Sequence, residues 1–245
     1  MLDGRHILVT GAARGLGAEI ARRLAAQGAR LILADIAEET GRATAEALGA
    51  AFHPVDLAAP DSIAALAGMV AAETDGHLHG LVNNGAIATG IGGIPFDEIE
   101  IDSWDLVQRV NVRGTWLMTR ACAPLLRASG SGRVVNVASD TALWGAPRLL
   151  SYVASKGAVI AMTRSLAREL GPDRVGVTAV APGILTTEST GYVPEARHRQ
   201  YSEGRAVPGP QAPEEVTDVV AFLLSEGALT LTGQVLPVNN GFVFT

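Results

Sequence analysis

Three side chains, Ser139, Tyr152 and Lys156, stand close together in the stretch SDTALWGAPRLLSYVASK and have types that can move a proton to or from an oxygen. Tyr152 and Lys156 are four apart, so on a helix they share a face and can act on one small volume. A free tyrosine titrates near pH ~10, and a cation held beside it favours the phenolate and brings its pKa toward the working range. Ser139, at the end of an apolar run, can share a carbonyl or carbinol oxygen with that phenol. Tyr-x-x-x-Lys by itself is a common pattern, and composition sharpens it. Among nineteen lysine and arginine side chains, Lys156 is the single lysine. A lone lysine in an arginine-rich chain points to a site that needs a compact point charge with rotatable donors.

A second group stands near the N-terminus. Thr10-Gly11-Ala-Ala-Arg14-Gly15-Leu16-Gly17 follows an apolar run and opens a helical pattern. In that context a glycine turn lets backbone N–H groups and a helix N-terminus hold a pyrophosphate. Asp35 ends the next apolar run, eighteen residues beyond Gly17. There a carboxylate can accept hydrogen bonds from a ribose diol.

These groups need elements to hold them, and the pattern supplies strands alternating with amphipathic helices. Strands are predicted at 6–10, 30–35, near 50–54, 79–83, 133–138, 175–180 and about 234–238. Helices are predicted over 15–27, about 38–48, about 61–73, 102–128, about 151–170 and from Pro213 to near Ser225. The stretch between Ser139 and the Tyr152 helix reads as a short loop. Strands separated by helices of this length imply right-handed parallel crossovers. The expectation is an α/β fold with a doubly wound, parallel seven-stranded sheet covered by helices on both faces. With no repeat, linker or low-complexity tract, residues 1–245 read as a single domain.

Bulk properties narrow the function classes. The chain has 48% hydrophobic and 18% charged residues, enough for a sizeable core. A net charge of -6 and scattered basic residues give no support for nucleic-acid or anionic-membrane binding. The five histidines and the one cysteine have no metal-ligand spacing, so no metal is expected; His77 and His79 read as a wet turn and Cys122 as a buried apolar residue. No apolar run approaches the ~18 residues needed to span a bilayer, and the first residues carry no signal region. The expectation is a soluble cytoplasmic protein.

The ordered set Thr10-Gly11…Gly15-x-Gly17, Asp35, Asp56, Asn83-Asn84-Gly85, Asn111, Ser139, Tyr152-x-x-x-Lys156 and Pro182-Gly183…Thr187 resembles the classical short-chain dehydrogenase/reductase family over nearly the whole chain. The resemblance implies a Rossmann-like fold and an NAD-dependent oxidoreductase that interconverts a secondary alcohol and a ketone by hydride transfer. Tyr152 would be the acid/base, Ser139 would orient the substrate, and Lys156 would bind the nicotinamide ribose and lower the tyrosine pKa. Asn111 would hold a water in a proton relay. Cofactor contacts would come from Gly11, Arg14, Gly15, Leu16, Gly17, Asp35, Ile36, Asp56, Leu57, Asn83, Gly85, Tyr152, Lys156, Pro182, Gly183, Leu185 and Thr187. Asp56 would meet the adenine and Asn83 would line the adenosine pocket.

Two departures stand out. The family usually reads Asn-Asn-Ala-Gly where this chain has Asn83-Asn84-Gly85-Ala86, so the backbone beside the cofactor is expected to differ slightly if it needs positive φ. The family often has Asp-Gly-Gly where this chain reads Asn239-Asn240-Gly241, which puts the C-terminal turn in doubt. Alternatives are a 3-oxoacyl thioester reductase and a non-redox relative, either a lyase or a nucleotide-binding protein. Against the latter two, Gly11, Gly15, Gly17, Tyr152 and Lys156 are all intact. Leu143, Trp144 and Tyr192 mark a largely apolar substrate pocket for a small molecule. The segment at about 183–210 is too long for an ordinary connection and reads as a lid, helical around 194–203. The long helix and the Tyr152 helix resemble those that pair in tetrameric relatives, so a homotetramer is expected.

Overall fold

The run His-Ile-Leu-Val-Thr forms strand β1 (His6–Thr10), whose inner residues are fully buried, as the apolar sequence requires when both faces of a strand are covered. In the computed structural model, which describes residues 1–187 and 190–245, β1 lies inside a sheet with β2 (Arg30–Asp35), β3 (Ala51–Pro54), β4 (Gly80–Asn83), β5 (Arg133–Val137), β6 (Gly176–Pro182) and β7 (Val235–Val238). Among the described residues the order is β3-β2-β1-β4-β5-β6-β7, and every neighbouring pair is parallel. The fold is the doubly wound parallel α/β sheet expected. The strand order reverses between β1 and β4, which opens a crevice at their carboxyl ends.

Alternation along β1 sends side chains to two different cores. Ile7 and Val9 face α1 (Gly15–Ala26), α2 (Glu38–Leu48) and α9 (Glu214–Leu223), where Ile20, Leu24, Val216 and Val220 are fully buried. Leu8 faces the other side, packed with Leu66 and Val70 of α3 (Pro60–Glu73) and Met118 and Leu126 of α5 (Thr115–Ala128). That second face also carries α7 (Leu150–Leu170), whose Val159 and Ile160 pack on Ala179 and Ala181. Cys122 lies in this core, and burial pushes its thiol up to about 12, so it behaves as a small apolar residue.

The structure departs from the sequence reading in four places. The stretch 102–128 is not one α-helix: α4 (Ile101–Gln108) and α5 are joined by a π-helical turn over Arg109–Gly114. The loop after Ser139 contains a one-turn helix, α6 (Thr141–Trp144). β6 continues through Pro182, two residues beyond the predicted end. His79 is half-buried rather than solvated, and its Nδ1 accepts the His6 N–H at 3.2 Å. The segment read as a lid holds α8 (Glu195–Gly204), close to the predicted helix; residues 188 and 189 of that segment lie outside the described residues. Among the described residues, no helix is long and apolar enough to cross a membrane and no cluster of His, Cys, Asp and Glu is arranged to hold a metal.

Candidate active site

The glycine turn is built by close backbone approach. A Cβ on Gly11 would lie 2.5 Å from Gly85 Cα, and one on Gly17 would lie 2.0 Å from the Gly11 carbonyl oxygen. Gly11 also sits at φ +65°, in the region only glycine enters freely. Two residues outside the predicted contact set lock this turn to the crevice. The Asn84 amide donates to the carbonyls of Thr10 at 3.1 Å and Gly11 at 2.9 Å. The Thr10 hydroxyl accepts the N–H of Asn84 at 3.2 Å and of Gly85 at 3.1 Å, tying the ends of β1 and β4 together.

Asp35 is already part of the same construction. Its Oδ2 accepts the Ala13 N–H at 2.9 Å and its Oδ1 accepts the Ala37 N–H at 3.0 Å, while the Thr44 hydroxyl holds the Ala13 carbonyl at 2.9 Å. Each carboxylate oxygen keeps a further lone pair for a ligand hydroxyl. Arg14, in extended conformation ahead of α1, is exposed, and Ile36 is 71% exposed beside Asp35. Leu16 packs on the core.

The second group meets at the carboxyl ends of β5 and β6. Tyr152 and Lys156 lie on one face of α7, with the Lys156 Nζ 5.6 Å from the centre of the Tyr152 ring. Lys156 is buried, and its Nζ donates to the Val137 carbonyl at 2.7 Å. Ser139 provides a hydrogen bond to the Tyr152 phenol. Burial outweighs that bond and pushes the phenol up to about 12, and burial also brings Lys156 down to about 8. Desolvation is the largest effect on both groups.

Asn111 occupies the π turn, a deformation that often marks a functional position. Its Oδ1 accepts the Ile87 N–H at 2.7 Å, and its Nδ2 donates to the Ile87 carbonyl at 3.0 Å and to Ser155 Oγ at 3.1 Å. It clamps the loop after β4 onto α7. The Ser155 hydroxyl in turn donates to the Tyr152 carbonyl at 2.8 Å, fixing the first turn of α7.

Other predicted contacts are distributed differently. Asn83 is buried, and its Nδ2 donates to Thr119 at 3.0 Å and Asn136 at 2.9 Å. Leu185 is buried in the core, and Leu143 packs on the cluster around Ala138 and Val159. Asp56 accepts the Ala58 N–H at 2.8 Å in the turn before α3, and Leu57 fills the space between Gly85 and Gly114. Pro182 ends β6, Gly183 follows beside Asp140 and Asn239, and the Thr187 N–H donates to the Leu185 carbonyl at 3.0 Å. Tyr192 is half-exposed and donates to the Ala88 carbonyl at 2.6 Å, a link between the lid segment and the loop after β4. Trp144 is turned toward the lid helix and donates to the Tyr201 hydroxyl at 3.0 Å.

Comparison with known proteins agrees with this geometry. A family profile described as Enoyl-(Acyl carrier protein) reductase matches residues 11–243. The chain is 35% identical to a 3-alpha-(or 20-beta)-hydroxysteroid dehydrogenase of Mycobacterium bovis, over 99% of this chain and 90% of that protein. It is also 35% identical to a 3-oxoacyl-(acyl-carrier-protein) reductase of Aquifex aeolicus, over 98% of both chains. A short-chain type dehydrogenase/reductase from Mycobacterium ulcerans superposes with a TM-score of 0.93 at 27% identity, covering 98% of this chain and 90% of that one. The chain is a classical short-chain dehydrogenase/reductase.

Members of this family use nicotinamide cofactors, and the glycine turn has the shape such a group requires. Gly11 and Gly17 let the turn pack directly on the end of β4 and on itself, Ala13 is fixed by Asp35, and the N-terminus of α1 begins at Gly15 within the turn. The exchange of Ala and Gly after Asn84 carries no backbone cost for this dehydrogenase/reductase. Neither Gly85 nor Ala86 sits at positive φ, and a Cβ at 85 would meet first the Cδ1 of Leu57, the tip of a side chain that can turn aside.

The site also contains an acid that the sequence reading passed over. Asp140, directly after Ser139, is fully buried, and desolvation raises its carboxyl from 3.8 to about 6, against hydrogen bonds from Tyr201 and Asn239 and the charge of Arg205. A carboxyl whose folded pKa is raised stabilises the fold most fully below its unfolded value. That contribution is lost as pH rises through the folded value, here between about 4 and 6, and amounts to about 3 kcal/mol. The stability of the wild type relative to Asp140→Asn should therefore fall between pH 4 and pH 7. Denaturant titrations at both pH values measure it; a difference that stays flat or grows would show that Asp140 ionises without penalty.

Proposed function

We propose that the protein is an NAD-dependent dehydrogenase/reductase interconverting a small-molecule secondary alcohol and the corresponding ketone in the cytoplasm. The observation that carries this reading is the buried Lys156 held against the Tyr152 ring while the phenol shares a hydrogen bond with Ser139. In this reading Tyr152 gives a proton to the ketone oxygen or takes it from the alcohol, and Ser139 holds that oxygen in place. Lys156 keeps positive charge beside the phenol. Asn111 holds the loop after β4 and α7 in register. The glycine turn, Asp35, Asp56 and the Gly183–Thr187 stretch would hold the cofactor, which supplies hydride exchange when bound. The lid segment closes over the substrate, supported by the Tyr192 link to Ala88. A panel of secondary alcohols, cyclic ketones, sugars and hydroxyacyl thioesters, followed by the change in nicotinamide absorbance, tests the reading. No turnover on any class would overturn it.

Assembly as a homotetramer belongs to the same proposal. Leu106 and Trp116, on the helices either side of the π turn, are each 43% exposed, as is Leu150 at the start of α7. These are apolar side chains on the two helices expected to pair with their copies.

Cofactor choice pits Asp35 against Arg14. Asp35 stands at the ribose site itself, where its charge would repel a 2′-phosphate, whereas Arg14 is an exposed side chain free to turn to solvent. A carboxylate in direct contact outweighs a screened arginine. The expected preference is NAD over NADP by at least about tenfold in kcat/KM, about 1.4 kcal/mol. Asp35→Ser should narrow or reverse the ratio, even though losing the bond to Ala13 N–H weakens binding of both cofactors. Equal use of both by the wild type would show that Arg14 sets the pocket.

A further inference from the structure

Asp140 is the one acidic side chain among the described residues that is fully buried, and its immediate neighbour is Ser139. Its Oδ1 accepts the Tyr201 hydroxyl at 2.8 Å and its Oδ2 accepts the Asn239 amide at 3.2 Å. Its own N–H donates to the Pro182 carbonyl at 3.0 Å. Three segments distant in sequence therefore converge on one carboxylate: the loop that carries Ser139, the lid helix α8 through Tyr201, and the C-terminal turn through Asn239.

The surroundings keep these partners in place. Tyr201 is 2% exposed, stacks on Phe242 with ring centres 4.2 Å apart, and receives the Trp144 indole N–H on its hydroxyl. The Arg205 guanidinium lies 5.5 Å from the Tyr201 ring centre and donates to the carbonyls of Gly209 and Ile184, so the far end of α8 is fastened to the lid as well. Asn239 is 2% exposed, and its Oδ1 accepts the Gly241 N–H at 3.2 Å. At the start of the lid, a Cβ on Gly183 would lie 3.1 Å from both Asp140 Oδ2 and Asn239 Cβ, so the chain passes through this junction with no room to spare.

The chemistry of the junction also accounts for the departure at Asn239. Asp140 needs donors on both oxygens. An aspartate at 239, the residue the family often has there, would bring a second carboxylate into hydrogen-bond range of the first, and two buried carboxylates at that separation cannot both ionise. An asparagine supplies an N–H₂ in the same volume and still offers an oxygen to Gly241.

We propose that Asp140 is a positioning residue that seats the lid helix and the C-terminal turn against the loop carrying Ser139, with Asn239 the amide this carboxylate requires. Lid closure and the placement of the Ser139 hydroxyl then depend on one junction. This inference rests on the dehydrogenase reading for its kinetic consequences, but its structural consequence is separate.

The test compares Asn239→Asp, Tyr201→Phe and the exchange Asp140→Asn/Asn239→Asp. In the exchange, residue 140 still accepts the Tyr201 hydroxyl on Oδ1 and now donates its amide to the carboxylate introduced at position 239, so all three hydrogen bonds are preserved. Asn239→Asp and Tyr201→Phe should each raise KM for the alcohol by about tenfold or more, a cost typical of a loosened site, with NAD affinity changed less than about threefold. Both should speed amide hydrogen exchange in residues 195–204. The exchange should bring KM and hydrogen exchange back to within about threefold of wild type, the signature of direct coupling in a double-mutant cycle. An exchange variant no better than Asn239→Asp, or hydrogen exchange in 195–204 unchanged by Tyr201→Phe, would overturn the proposal. If no alcohol is turned over at all, the hydrogen-exchange arm still decides the anchor, and the failure falls on the functional reading alone.

Discussion

Tyr152→Phe is expected to lower turnover by roughly 10²- to 10⁴-fold, the contribution of a positioned proton donor, while fold and NAD affinity stay as in the wild type. The reason lies in how little else the hydroxyl does. The ring is set by α7, whose first turn is fixed by the Ser155 hydroxyl on the Tyr152 carbonyl and by Asn111 on Ser155. Phenylalanine keeps that ring and its contact with the Lys156 ammonium. What it removes is the group paired with Ser139. Burial holds the phenol at about 12, so near neutral pH it is a proton carrier in its acid form, with Lys156 at about 8 still mostly charged beside it. Steady-state kinetics with NAD titration separate the effects. Turnover retained within a few fold would remove Tyr152 from the chemistry.

Gly17→Ala is expected to weaken NAD binding by about 10²-fold or more, about 2.7 kcal/mol, and to destabilise the fold by a further 1–3 kcal/mol or so from overpacking. The added methyl would stand 2.0 Å from the Gly11 carbonyl oxygen and 2.5 Å from Asn84 Nδ2. Neither can retreat cheaply. The Gly11 carbonyl is held by Asn84, Asn84 is held by Thr10, and Ala13 is held by Asp35, so the turn has to shift as a block away from the N-terminus of α1. Gly68→Ala in α3 is the control. Nothing lies within 4 Å of a Cβ there, and the helix should gain up to about 1 kcal/mol. Thermal denaturation and NAD titration of both variants check the pair. Normal NAD affinity in Gly17→Ala would mean that the turn is not the phosphate cradle.

The order of elements was legible because it depends on patterns a few residues long. Runs such as HILVT and RLILAD are apolar on both faces, which only a strand covered on both sides satisfies, and the helices between them are long enough to force parallel crossovers. Helix spacing put Tyr152 and Lys156 on one face, and the strand-to-helix context put the glycines at a carboxyl end of the sheet. The lid helix came within a residue or so because Pro194 cannot continue an upstream helix and suits the start of a new one.

What the chain by itself did not reveal depends on partners far away in sequence. Asn83 and Asn84 are neighbours of the same type, yet one serves the interior of the sheet and the other the glycine turn, because the strand ends between them and register sends their side chains apart. The π turn at Asn111 is set by Ile87 and Ser155, not by any periodicity within 102–128. The sequence places Asp35 at the end of β2, and only folding brings the Ala13 N–H onto it. Asp140 carried no signal in the sequence, because its partners Tyr201 and Asn239 lie sixty-one and ninety-nine residues further on. Short-range sterics and hydrophobic periodicity act along the chain and are written in it. Hydrogen-bond satisfaction and desolvation are decided only when distant segments are brought together, and at this site they determine which polar side chains remain available to a ligand.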